Sequence, residues 1–216
     1  MEAIALRPPA ALRGAATRDA LLDAAESLLS IHGYRAPSHR MIAAEAGTHV
    51  ALVNYHFGSK EMLFEAAVER RAGRLIALWK EALKEVRGRP SFDASDVLRA
   101  WWRPFGELDL HKEQPWGNYL CAFARLGTAP DGETLYQRHF GKADREFQDA
   151  LGQTMPEASH EDREAAFRYA RTLLAEVLLH RCGKTGVECS PRGFRSDDEA
   201  RALRFVEAGV RGMLQG

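Results

Sequence analysis

Residues 41–60, MIAAEAGTHVALVNYHFGSK, constrain the fold more than any other stretch of the chain. They read as two short helices joined by a sharp turn at Gly47. Ala43, four residues before that turn, falls where the two helices approach most closely and only a small side chain fits. Ile42, Ala46 and Val53 complete a buried seam, and Gly47 supplies the positive φ that a sharp turn requires. The second helix carries His49, Asn54, Tyr55 and His56 and runs directly into Gly58, Ser59 and Lys60. A helix with polar and aromatic side chains outside, braced by a partner across a glycine turn, has the geometry that reads bases in the major groove of a duplex.

The rest of the chain is patterned for helix, and the fold class expected is all-α. Residues 1–16, rich in Ala, Pro and Arg, read as a flexible arm. A first helix is expected over residues 17–32, capped by Thr17 and ended by Gly33, with Leu21, Ala24, Ala25, Leu28 and Ile31 at helical spacing. Ser38 caps the second helix, and a third covers residues 48–57. Ser59 caps a long fourth helix over residues 60–86, with Glu61 in its first turn where a carboxylate suits the helix dipole. Gly88, Arg89 and Pro90 end it. About five further helices follow. Ser159 with Asp162, and Ser196 with Glu199, match the Ser-x-x-acid capping box ahead of the last two. Residues 183–195 read as an exposed loop. Alternating β-branched runs are absent, so no sheet is expected. The division that follows is an arm (1–16), a helix-turn-helix head (17–60) and a helical body (61–216).

The string NYHFGSKEMLF, preceded by three helices and followed by a long fourth, resembles the N-terminal domain of the TetR family of transcriptional regulators. The specific likeness covers residues 17–69; beyond them it rests on helical content and length. It implies a homodimer with a helical ligand-binding body, most often a repressor released by a small molecule. By position, Ser38, His39 and Arg40 match the phosphate-contacting start of the family's second helix. His49, Val50, Ala51 and Leu52 match the base-facing part of the recognition helix. Asn54, Tyr55 and His56 match its aromatic and histidine contacts, and Lys60 matches a phosphate-binding lysine. Val50, Ala51 and Asn54 depart from the residues most members carry, so the operator sequence does not transfer. Val50 and Ala51 can still meet thymine methyls.

Within the body, Trp101, Trp102, Phe105, Trp116 and Phe123 crowd one stretch, with Asn118, Tyr119, Cys121 and Arg125 among them as polar groups. They are the expected lining of an effector pocket for a mostly apolar ligand. The last two helices carry apolar stripes, Phe167, Ala170, Leu174 and Val177 on one and Leu203, Val206, Val210 and Met213 on the other. These are the expected homodimer interface.

Charge and composition narrow the alternatives. Thirty Lys and Arg balance thirty Asp and Glu, which argues against a surface basic all over but leaves room for a local patch. No carboxylate falls in the proposed reading helix. Three cysteines at irregular spacing, Cys121, Cys182 and Cys189, make no disulfide framework, and reduced thiols are expected. No apolar run is long enough to span a membrane, and the expected location is the cytoplasm. Gly183-Lys184-Thr185 lacks the upstream glycine and strand of a P-loop. His139 and Asp144 have the spacing of an acyltransferase motif but fall in an amphipathic helix. His180, Cys182 and Cys189 lack the second close pair that a metal site needs. The expectation is therefore a regulator rather than an enzyme, with duplex DNA and a small molecule as partners and neither cofactor nor metal.

Overall fold

The structure is a computed structural model that describes residues 10–110, 116–181 and 196–215. The loop expected over 183–195, Cys182, Cys189 and the first nine residues lie outside the described residues. Among those described there are nine helices and no strand.

Four helices build the head. They are α1 (Ala10–His32), α2 (His39–Glu45), α3 (Val50–Phe57) and α4 (Lys60–Arg87). The helix boundaries follow local chemistry. Ser38 caps α2 by accepting from the Met41 N–H at 3.2 Å, and Ser59 caps α4 by accepting from Met62 at 3.2 Å. Gly33, Gly47 and Gly58 all have positive φ, between 62° and 77°, and are the only described residues that do. Each ends or separates two head helices. Two expectations shift. Residues 10–16 belong to α1 rather than to an arm, and Thr17 lies inside the helix instead of capping it. The Ala-rich string AALRGAA favours helix strongly enough to carry it seven residues further back. Conversely α3 starts at Val50 rather than Thr48, because the Thr48 N–H is still held in the turn by the Ala43 carbonyl at 2.8 Å.

The body is α5 (Ala94–Leu110), α6 (Trp116–Thr128), α7 (Glu133–Thr154), α8 (His160–Arg181) and α9 (Ser196–Gln215). Ser159 caps α8 reciprocally with Asp162: the Asp162 N–H donates to Oγ at 3.0 Å, and the hydroxyl donates to the carboxylate at 2.6 Å. At the start of α9, Glu199 accepts from Trp102 Nε1 across the body at 2.5 Å. The core runs without interruption from head to body. Leu21, Ala25, Ile42, Val53, Leu63 and Phe64 are sealed at one end, and Trp79, Trp101, Phe105, Phe140 and Phe147 at the other. α4 contributes to both. Side chains reinforce the junction: Arg125 Nε on α6 donates to the Ser30 carbonyl of α1 at 2.8 Å, and Tyr119 Oη donates to the Val68 carbonyl of α4 at 2.9 Å.

Candidate nucleic-acid interface

The packing of α3 follows from its sequence, VALVNYHF. Val53 and Phe57, four residues apart, are buried against α2 and α4. The opposite face is therefore obliged to look outward. It presents Val50, Ala51, Asn54 and Tyr55, all exposed, in two adjacent rows. Tyr55 is 79% exposed, and the His56 ring meets it edge-on at 5.1 Å. An aromatic ring left this far from the core contributes little to folding and is available to a partner outside the chain. His56 and Leu52 are half-buried flanks of the same face, and His49 sits exposed at the N-cap without a side-chain capping bond.

α2 lies across α3, with Ile42 and Ala43 filling the seam. At its start Ser38 is exposed; its oxygen caps the helix, which leaves the hydroxyl hydrogen to donate. Arg40 is exposed, without an ion-pair partner among the described residues. His39 is half-buried, and its Nε2 has no hydrogen-bond partner. Lys60 also has a partner within the head. Its Nζ donates to the Arg35 carbonyl at 3.1 Å and lies about 6 Å from the Tyr34 and Phe64 rings. It thus also ties the turn before α2 to α4, with two N–H bonds left for an anion.

Three carboxylates of the head, Glu26, Asp23 and Glu45, are held by internal partners, whereas Glu65 and Glu69 of α4 border the groove beside Tyr55 and His56. Glu26 is 2% exposed and accepts from Arg70 at 2.7 Å and Arg71 at 3.2 Å. Burial pushes its carboxyl above the usual range, and the two guanidiniums oppose the rise. Asp23 pairs with Arg70 at 2.6 Å, and Glu45 accepts from Ser27 at 2.8 Å. Arg18 adds a cation that sequence reasoning missed. It stands over the Phe57 ring at 5.0 Å and borders, with Asn54, Tyr55 and His56, an open groove of about 570 Å³. Its signal was hidden because α1 was expected to begin at Thr17, one residue before it.

The residues expected to line an effector pocket are together, but they fill one another's space. Trp101, Trp102, Phe105, Trp116, Tyr119, Cys121 and Phe123 are all buried, while Asn118 and Arg125 are half-buried. Trp101 stacks on Trp79 at 5.9 Å, and Phe123 meets Phe140 edge-on at 5.0 Å. Two of the polar groups, Tyr119 and Arg125, bond backbone carbonyls of α4 and α1. Cys121 is disulfide-bonded rather than reduced. A cavity of about 10 Å³ between Tyr119, Phe123, Glu26 and Val68 has room for about one water.

The residues expected at a dimer interface divide between the protomer's interior and the lining of a surface groove. Phe167, Ala170, Leu174, Val177, Val206 and Val210 are buried within the protomer, where α8 and α9 pack on each other and on α5 and α6; Leu203 is half-buried. Helical periodicity marked an apolar face but could not say that the fold itself would cover it. The apolar side chains left outside are Tyr169 at 57% exposure, Phe205 at 71% and Met213 at 39%. They border a groove of about 220 Å³ with Leu173, Val206 and Gly209. Ala170, Val206, Val210 and Met213 of the expected stripes line this groove, whereas Tyr169, Leu173, Phe205 and Gly209 were not among the residues expected.

His139 and Asp144 are not brought together as a catalytic pair. His139 faces Glu65 on α4, whereas Asp144 is buried against Arg171 at 3.1 Å and Tyr136 at 3.2 Å. No cluster of three His, Cys, Asp or Glu able to hold a metal occurs among the described residues. No described helix is long and apolar enough to cross a membrane.

Comparison with known proteins agrees with the geometry. Residues 21–67 match the family model of the bacterial regulatory proteins, tetR family. No curated protein matches the chain. Among solved structures, a TetR-like transcriptional regulator from Rhodococcus sp. RHA1 is 20% identical, with 97% of this chain and 100% of that one covered and a TM-score of 0.59. A TetR transcriptional regulator from Legionella pneumophila is 19% identical, covering 92% and 97%, with a TM-score of 0.52. A TetR family transcription regulator from Marinobacter aquaeolei VT8 is 16% identical, with the same coverage and TM-score. At these identities the likeness over the whole chain is one of fold.

Proposed function

We propose, from the match of residues 21–67 to the family model of the bacterial regulatory proteins, tetR family, that the chain is a sequence-specific transcriptional regulator that binds a palindromic operator as a homodimer. The observation that carries this reading is the outer face of α3, where Tyr55 is 79% exposed beside Asn54 and no acid interrupts the row. Asn54 and His49 supply hydrogen bonds for base edges, and Val50 and Ala51 suit thymine methyls. Ser38, Arg40, Arg18 and Lys60 surround that row with donors for phosphate.

A second copy is the proposed occupant of the α8–α9 groove. Twofold symmetry places Tyr169, Phe205 and Met213 of one protomer against the same residues of its partner. Two heads held this way engage half-sites about 34 Å apart, or a multiple of that spacing. The effector is proposed to be mostly apolar and to act by repression release. It separates α6 from its neighbours among the aromatic rings, and Arg125 and Tyr119 pass that movement to α1 and α4. Its influence equals its differential affinity for the two head spacings.

Selection of binding sites from random duplex DNA tests the reading. An enriched inverted repeat, lost on Tyr55→Ala, is the result expected. Enrichment of no sequence, or binding unchanged by Tyr55→Ala together with Asn54→Ala, overturns it. Light scattering should give about twice the 24.1 kDa chain mass, and Phe205→Glu should return it to the monomer value.

A further inference from the structure

The seam between α4 and α7 lies where the head's long helix leaves the DNA-facing end and enters the body. Arg138 on α7 grips Glu65 on α4 with two bonds of 2.7 Å. The next residue, His139, is 14% exposed and points into the same seam. Its Nε2 is buried with no hydrogen-bond partner, and the nearest carboxylate oxygen, on Glu65, is 4.0 Å away. That distance is too long for a hydrogen bond. A buried ring nitrogen without a partner is costly to keep and needs an explanation.

We propose that this seam is a proton-sensitive latch: protonation of His139 drives its ring out of the seam and loosens the head on the body. The proposal rests on the DNA-binding reading for its regulatory consequence, though not for the latch itself. Four groups face the imidazole or its partner. Glu65 and Glu69 of α4 attract a cation there, Arg138 of α7 repels it, and the Tyr34 hydroxyl lies near Arg138 and Glu65 without a charge at neutral pH. Because Arg138 already occupies both oxygens of Glu65, the nearer carboxylate is largely neutralised. Burial therefore decides the balance and holds the His139 value below its ordinary 6.5.

The sign follows. A folded value below the solvated one means that the open form binds more protons. Stability of the seam is present above both values and declines as pH falls through 6.5. Once pH is below both values, each unit separating them favours opening about tenfold. Glu65 also borders the groove that holds Tyr55 and His56, so a loosened seam alters the setting of the reading face.

Hydrogen exchange on the full chain tests the latch, with rates corrected for the intrinsic effect of pH. Wild-type amides in residues 62–72 and 135–143 should lose protection several-fold between pH 7.5 and 5.5. His139→Gln, which keeps a polar side chain and cannot be protonated in this range, should lose little. Titration of the His139 ring by NMR in the wild-type chain gives a second reading, expected below 6.5, that needs no variant. Constant protection in the wild type overturns the latch. So does increased protection at acid, which would mean that Glu65 captures the imidazolium, or an equal loss in His139→Gln.

DNA binding to the selected operator, measured at both pH values, separates the two readings. Any effect of pH on the DNA-facing surface itself is common to both proteins, so on acidification the wild type should gain less than His139→Gln. An identical gain overturns the regulatory role. Exchange that behaves as expected in a protein binding no duplex at either pH overturns the DNA-binding reading and leaves the latch standing.

Discussion

Tyr55 in the head and Tyr136 in the body have the same side chain and opposite circumstances. Tyr55 is 79% exposed with its ring turned to solvent. Tyr136 is fully buried, its hydroxyl donates to Asp144 at 3.2 Å, and the Arg171 guanidinium lies over its ring at 4.3 Å. The head keeps precision in its backbone, through three left-handed glycines and two serine caps, and leaves its surface groups available. The body places its chemistry inside, where almost every ring and charge has an internal partner. A surface of the first kind binds a large partner without rearranging. An interior of the second kind can admit a ligand only by opening, and under the proposed function that requirement would couple a ligand to movement.

Substitutions can break this contrast, and the body should suffer first. Trp79 touches Trp101, Phe105, Phe123, Phe140 and Phe147. Trp79→Ala should cost about 3–5 kcal/mol in denaturant unfolding. A cost near 1 kcal/mol would mean that the aromatic cluster is loosely packed and already open to ligands.

Arg171→Met should cost a similar amount, about 3–5 kcal/mol at pH 7.5, by leaving the Asp144 carboxylate buried without its cation. Burial already raises Asp144 to about 6 despite Arg171. For a raised value, the stability from that group is fully present below the ordinary 3.8 and is lost as pH rises through about 6. The difference between wild type and Arg171→Met should therefore shrink on acidification from pH 7.5 to 5. A pH-independent difference would assign the loss to packing instead of charge.

In the head, Gly47→Ala forces a side chain into φ of 62° and should cost about 1–2 kcal/mol. No atom outside its immediate chain neighbours lies within 4 Å of the added Cβ, so the loss isolates backbone strain from crowding. Tyr55→Ala should be the mildest in unfolding, within about 0.5 kcal/mol. The same variant should lose about 1–3 kcal/mol of specific DNA binding by gel-shift titration. A Tyr55→Ala protein that unfolds much more easily would place that ring in the structural half of the comparison.

Local features were the legible ones. Gly47, Ser38, Ser59 and Ser159 act within three or four residues of themselves, so their roles could be read directly. Tyr119 and Arg125 were read as ligand groups because their acceptors, the Val68 and Ser30 carbonyls, are 51 and 95 residues away in sequence. Nothing in their neighbourhood announces those partners. α8 and α9 each carry apolar residues on more than one face, and which face is covered depends on where α5 and α6 run. A stripe of Phe167, Leu174 and Val177 thus looked like an interface, and these residues are buried within the protomer. Lys60 shows the same limit at short range: its position announces a phosphate contact, but only the fold reveals the Arg35 carbonyl beside it.

The uninterrupted core along α4 sets terms for anyone wishing to transplant this reading head. Cutting after residue 60 would strip Leu63, Phe64 and Ala67 from the helices they cover. It would also leave Glu26 with neither Arg70 nor Arg71. A functional chimera must carry α4 at least past Arg71, and must supply a receiving scaffold that presents an arginine to the Ser30 carbonyl. The exchangeable unit is thus larger than the helix-turn-helix itself.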